Sequence, residues 1–140
     1  MRHRWAILLL SLAAALAGCT GGGKPPIEER LASGDPKDRA SAAYDLAKEP
    51  APEADVRLIH LLADEDEAVR FFAAKALKDR TGERFDFQSE AALAERAASI
   101  RQWIAWAEAT YPTTQGRFDE LRGQIAGLEG KPGTEDGHPR

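Results

Sequence analysis

Residues 61 to 77 read Leu61-Leu62-Ala63-Asp64-Glu65-Asp66-Glu67-Ala68-Val69-Arg70-Phe71-Phe72-Ala73-Ala74-Lys75-Ala76-Leu77, and this stretch decides the fold. Val69 is its one β-branched residue, alanine and leucine dominate, and Asp66 stands where a carboxylate caps the free N–H groups of a helix start. At about 100° per residue Val69, Phe72, Ala73, Ala76 and Leu77 share one face, while Phe71, Lys75 and Lys78 point away from it. Laid on the chain with an offset of 31, the stretch recurs. Leu31, Ala32, Asp35, Arg39, Ala42, Ala43 and Leu46 return as Leu62, Ala63, Asp66, Arg70, Ala73, Ala74 and Leu77. In the earlier copy Asp35 precedes Pro36, a capping carboxylate before a residue suited to the first helical position. Each copy therefore predicts a first helix ending at a leucine, a turn carrying aspartate, and a second helix. A helical pair of this size cannot bury its own apolar face and must stack on a neighbour.

The leucine pair, acidic turn, Val69-Arg70 and the spaced Ala73-Ala74 and Ala76-Leu77 resemble a bacterial HEAT-like repeat. The resemblance runs from Ile27 to about Thr81. In the earlier copy Asp38 replaces the valine and Ser33-Gly34 replace the acidic turn, as in an atypical capping repeat. Beyond it, Thr81-Gly82 ends a helix, Phe85-Asp86-Phe87 crosses over, and a further helix is expected from about Ser89 to Thr110. Leu93, Ala97, Ile100, Ile104, Ala107 and Tyr111 form its stripe, with Trp103 and Trp106 flanking. The series Thr81-Gly82, Phe85 to Phe87, Glu95-Arg96, Ile100 and Trp103 resembles the closing segment of HEAT-repeat proteins of bacterial envelopes. Pro112 stops that helix, and Phe118, Leu121, Ile125 and Leu128 predict a last amphipathic helix weakened by Gly123 and Gly127. The expected fold is all-α: a short HEAT-like helical-hairpin solenoid over residues 27–84, with C-terminal capping helices over 85–129.

At the N-terminus, Arg2-His3-Arg4 precedes thirteen mostly apolar residues from Trp5 to Ala17, fewer than the roughly 20 that a membrane-spanning helix requires. A positive start, an apolar run and small residues before a cut site are the layout of a signal peptide. Leu16-Ala17-Gly18-Cys19 resembles the lipobox of bacterial lipoproteins. That resemblance implies cleavage between Gly18 and Cys19 and acylation of the Cys19 thiol, which would hold the chain on a membrane. Thr20, in place of the aspartate that retains lipoproteins in the inner membrane, implies the periplasmic face of the outer membrane where one exists. Residues 1–18 are thus expected to be a cleaved signal peptide and 19–26 a Gly- and Pro-rich tether. Gly130 to Arg140 holds no apolar residue to bury and is expected to be a disordered tail.

Without Arg2 and Arg4 the 19 basic residues fall to 17 against 23 acidic ones, and a charge of −6 disfavours nucleic acid, whose phosphates call for cations. Cys19 is the sole cysteine, so lipidation leaves no thiol for a disulfide, a nucleophile or a metal site. No metal or other cofactor is expected: the acidic run Asp64 to Glu67 lacks the glycine and spacing of a calcium loop. His60 lies inside a repeat helix and His138 in the tail, neither with a recognisable catalytic partner, so an enzyme is not expected. Bilin lyases, which use related repeats, keep a ligand-modifying enzyme as the alternative. A purely structural envelope lipoprotein is another.

In HEAT-like stacks the arginine equivalent to Arg39 and Arg70 reaches the acidic turn of a neighbouring repeat, here Asp35, Asp64 or Asp66. Asp35, Arg39, Asp66 and Arg70 are accordingly read as a structural ladder. By the offset of 31, Tyr44 corresponds to Lys75, which places Tyr44, Phe71, Lys75 and Lys78 along the exposed side of successive second helices. That side is the concave surface in this fold, where a protein partner binds. Two arrangements of Phe71 remain open: free on that surface, or covered by the helix carrying Trp103 and Trp106. The functional expectation is a membrane-anchored scaffold or adaptor that binds another envelope protein.

Overall fold

The computed structural model describes residues 23–129. The expected signal peptide with Gly18 and Cys19, and the tail from 130 onward, lie outside the described residues. Among these, the chain is all helical: α1 Ile27–Leu31, α2 Pro36–Leu46, α3 Glu53–Leu61, α4 Glu67–Thr81, α5 Leu93–Thr110, a 3-10 turn Pro112–Thr114, and α6 Asp119–Glu129.

Local chemistry sets the helix ends. The Asp35 carboxylate accepts the Lys37 N–H at 2.9 Å with Pro36 in the first turn. Asp66 accepts both Ala68 and Val69 N–H groups at 2.9 and 3.1 Å. At the far end of α4, Gly82 adopts φ 78° and returns its N–H to the Lys78 carbonyl, a left-handed stop that other residues adopt only at a cost.

Each short helix packs on its successor, α1 on α2 and α3 on α4, and α2 lies against α4. Ala42, Ala43 and Ala73 on these two helices are fully buried. Leu46, Val69 and Leu77 fill the space between them and α3, which contributes Val56, Leu58 and Ile59. Each such large side chain contributes roughly 1.5–3 kcal/mol on burial. Helix α5 packs against α3 and α6 against α5. Phe118, Leu121 and Ile125 extend the same core, with Phe118 stacked on His60 at 5.6 Å between ring centres.

Four features differ from the expectations. Helix α5 starts at Leu93 rather than Ser89, with no side-chain cap at Ala92, so residues 83–92 form a longer crossing. Trp103 does not flank the stripe: it is 1% exposed, its ring held edge-on by Phe85 at 4.7 Å and Trp106 at 5.7 Å. Phe85 and Asp86 take positive φ values of 46° and 49°, a conformation costing about 1–2 kcal/mol per residue, at the turn that brings Phe85 onto Trp103. Phe72, expected inside, is 37% exposed, because it lies at the outer edge of the α2/α4 contact and lines a surface groove with Ala40 and Tyr44. The expected tether also ends early, because Lys24 pairs with Asp45 at 2.9 Å and the Pro25 carbonyl accepts from Arg30 at 2.9 Å.

Candidate functional site

Along α2, residues 37, 41 and 44 recur at helical spacing on one side, with Lys48 in the turn just beyond it; along α4, residues 68, 71, 75 and 78 do the same. The two rows lie on neighbouring helices and leave an aromatic strip in solvent. Tyr44 is 57% and Phe71 53% exposed. Phe71 and Phe72 meet edge to face at 5.6 Å, and the Lys48 ammonium sits 4.6 Å from the centre of the Tyr44 ring, a cation–π contact. Phe72 and Tyr44 face each other across a shallow groove floored by Ala40, Ser41 and Ala68. On the other side of α4, Phe71, Ala74, Lys75 and Lys78 form one wall of a second groove, and Arg84 to Glu90, less Phe85, the other. Lys75 is bonded to Asp79 one turn on. Helices α5 and α6 supply no lining residue to either groove, so of the two arrangements left open for Phe71 the structure adopts the uncovered one.

The ladder residues are committed to the fold. Arg39 grips Asp64 with Nε and Nη2 at 2.8 and 2.9 Å, and its Nη1 donates to the Ser33 carbonyl. The hydrogen bonds it donates to Asp64 hold the guanidinium pKa above its usual value. Asp64 also accepts the Asp66 N–H at 2.9 Å. Arg70 donates only to main-chain carbonyls, those of Asp64, Glu65 and Ser89. Arg96 joins it, donating to the Ala91 and Leu62 carbonyls. Burial, and then the repulsion of Arg70, lower the Arg96 pKa from the usual arginine value. Asp35 and Asp66 act as helix caps.

Sequence reasoning missed a buried polar centre. Asp55 on α3, 1% exposed, is bonded by Arg80 Nε and by the Tyr111 hydroxyl, the latter at 2.9 Å. Arg80 Nη1 donates as well to the carbonyls of Leu46, Ala47 and Glu49, which closes the C-terminal end of α2. Burial, and then the bond to Asp55, raise the Tyr111 pKa above 10.0. The signal was present: Asp55 sits between Ala54 and Val56, three and four residues before Leu58 and Ile59, an acid on an apolar stripe. A second centre lies at α1, where buried Arg30 donates to Ser41 Oγ and to Asp45. His60 Nε2 lies 3.1 Å from the Arg117 carbonyl.

Among the described residues no group of three or more His, Cys, Asp or Glu side chains is placed to hold a metal ion. No described helix is long and apolar enough to cross a membrane. Comparison of the chain with protein-family models, with curated proteins and with solved structures finds no match.

Proposed function

We propose that this chain is a lipid-anchored, HEAT-like helical-repeat module that acts as a protein-binding scaffold or adaptor in the bacterial cell envelope. In this reading α1–α2 and α3–α4 are successive repeats of a short solenoid, and α5 and α6 close one side of it. The observation that carries the reading is the aromatic strip Tyr44, Phe71 and Phe72, left in solvent while Arg39, Arg70 and the buried Asp55 are satisfied internally. Exposed large aromatic side chains grouped on one surface mark contact sites more often than scattered ones do. Acylation of Cys19 would keep the module on its membrane, on the outer-membrane side that Thr20 implies. From Cys19 to Lys24, which is pinned to Asp45, the chain spans about 18 Å at full extension. The contact surface would therefore be held close to the lipid.

Co-purification from the native envelope tests this reading, comparing the wild type with a Tyr44→Ala, Phe71→Asp double variant of unchanged helical circular dichroism. Recovery of one protein with the wild type and its loss with the variant is expected. Equal recovery with both would reject the surface, and release of a Cys19→Ala variant from the membrane is the companion result for the anchor.

A further inference from the structure

The distribution of unused charge on the molecule identifies what the aromatic strip would take. Among the described residues, eleven of the fifteen lysines and arginines are engaged. Arg30, Arg39, Arg57, Arg80, Arg117 and Arg122 pair with carboxylates, as do Lys24 and Lys75. Arg70 and Arg96 are held by carbonyls, and Arg101 has its own interaction. Four described cations have neither a carboxylate nor a carbonyl partner: Lys37, Lys48, Lys78 and Arg84. All four border the strip. Lys37 lines the Tyr44–Phe72 groove, Lys48 rests on the Tyr44 ring, and Lys78 and Arg84 line the groove beside Phe71. In a chain of net charge −4, uncommitted positive charge is thus gathered beside the three most exposed aromatic rings among the described residues.

The backbone narrows the partner further. The polar main-chain groups of α2 and α4 are used within the helices, and among the described residues there is no strand whose edge could accept another. A segment docking between these helices must satisfy its own N–H and C=O groups, which a helix does and an extended peptide does not. The grooves on either side of α4 suit apolar side chains spaced three and four residues apart on one helical face. Asp66, Asp79, Asp86 and Glu90 also line these grooves, so an occupant's carboxylates fit only beside Lys37, Lys48, Lys78 and Arg84, a placement that side chains fixed on a helix can meet and a uniformly anionic lipid surface cannot.

Resting on the scaffold reading above, we propose that the α2/α4 face binds an acidic amphipathic helix of a partner protein. Its apolar face lies on Tyr44, Phe72 and Phe71, and its carboxylates meet Lys37, Lys48, Lys78 and Arg84. Lys48 exchanges its ring contact for a carboxylate in the process.

The test places a photoreactive benzophenone side chain at Tyr44 of the full-length chain in the cells that make it, and sequences the cross-linked segment by mass spectrometry. The expected adduct is a segment of another protein with acidic residues and apolar residues at helical spacing. Charge reversal at Lys37, Lys48, Lys78 and Arg84 to glutamate, with circular dichroism unchanged, should lower the adduct yield roughly tenfold or more, and added salt should mimic the loss. An adduct on a basic or extended protein segment, or an unchanged yield after charge reversal, overturns the acidic helix and leaves the scaffold reading standing. Adducts only on lipid, only on a second copy of this chain, or on nothing overturn both.

Discussion

Arg39 and Arg70 stand 31 residues apart at the same point of α2 and α4, yet they are held differently. Arg39 meets a carboxylate, the Asp64 side chain, in two parallel bonds; Arg70 meets three backbone carbonyls. The cause is the next element along the chain from each helical pair. After α2 comes a second pair whose acidic turn supplies Asp64. After α4 comes the crossing segment 83–92, which brings only the Ser89 carbonyl. The same contrast runs through the rest of the two pairs. Arg30 and Asp45 are bonded where the second pair has buried Leu61 and Ala76, and half-buried Asp38, bonded to Ser33 at 2.7 Å, stands where the second pair has fully buried Val69. A shared register can thus be met by polar contacts in one helical pair and by apolar ones in the other.

Exchanging the residues at which the two pairs differ probes this contrast, most severely at Val69. Val69→Asp should destabilise the protein by about 3–5 kcal/mol, because it buries a charge with no partner. Asp38→Val, the mirror change, should cost about 1 kcal/mol or less, since only one hydrogen bond at a half-buried site is lost. Urea titrations followed by circular dichroism measure both, and equal losses would mean the two positions are not in equivalent register.

Asp64→Ala should cost about 3 kcal/mol in the same assay, since it leaves Arg39 buried without its carboxylate. A loss under about 1 kcal/mol would show that carbonyls alone can hold Arg39 as they hold Arg70.

Asp45→Ala alone strands Arg30 and should cost about 2 kcal/mol, whereas the Arg30→Leu, Asp45→Ala double variant, which copies Leu61 and Ala76, should lie within about 1 kcal/mol of wild type. The double variant should also blunt acid unfolding. The hydrogen bond from Lys24, and then that from Arg30, hold the Asp45 carboxyl below its usual value of 3.8. A depressed carboxylate contributes stability that is present above that value and is lost as pH falls through the folded one. The wild type should therefore weaken below about pH 4 more than the double variant does.

How much of this was legible varies with the range of the interaction. The all-helical class, the caps at Asp35 and Asp66, and the recurrence at 31 are local properties, written in short windows of the chain. The uncovered state of Phe71 was not legible, because it depends on where α5 packs, and α5 lies against α3 rather than over α4. Phe72 fell on the apolar side of the helical wheel, but its exposure depends on where α2 meets α4, a contact between residues far apart in sequence. The centre joining Asp55, Arg80 and Tyr111 spans 56 residues between its outer members, and no local pattern links them, although Asp55 alone was conspicuous on its stripe.

That centre yields the smallest expected effect. Tyr111→Phe should cost about 1 kcal/mol. Of the two tyrosines in the chain, Tyr111 should ionise above the usual value of 10.0, because burial and the Asp55 bond favour its neutral form. Its raised pKa contributes stability that is present below about 10 and lost as pH rises through the folded value. Ultraviolet titration of the phenols should show this late transition in the wild type and lose it in the variant.

Whether the α2/α4 face is a contact surface in use is tested most directly by radical footprinting of Tyr44, Phe71 and Phe72. The comparison is between the protein in intact envelope membranes and the same protein purified in detergent. All three rings should label readily when purified and be protected in the envelope, while half-buried Trp106 on α5 labels equally in both. Equal labelling of the three rings in both preparations would contradict the claim.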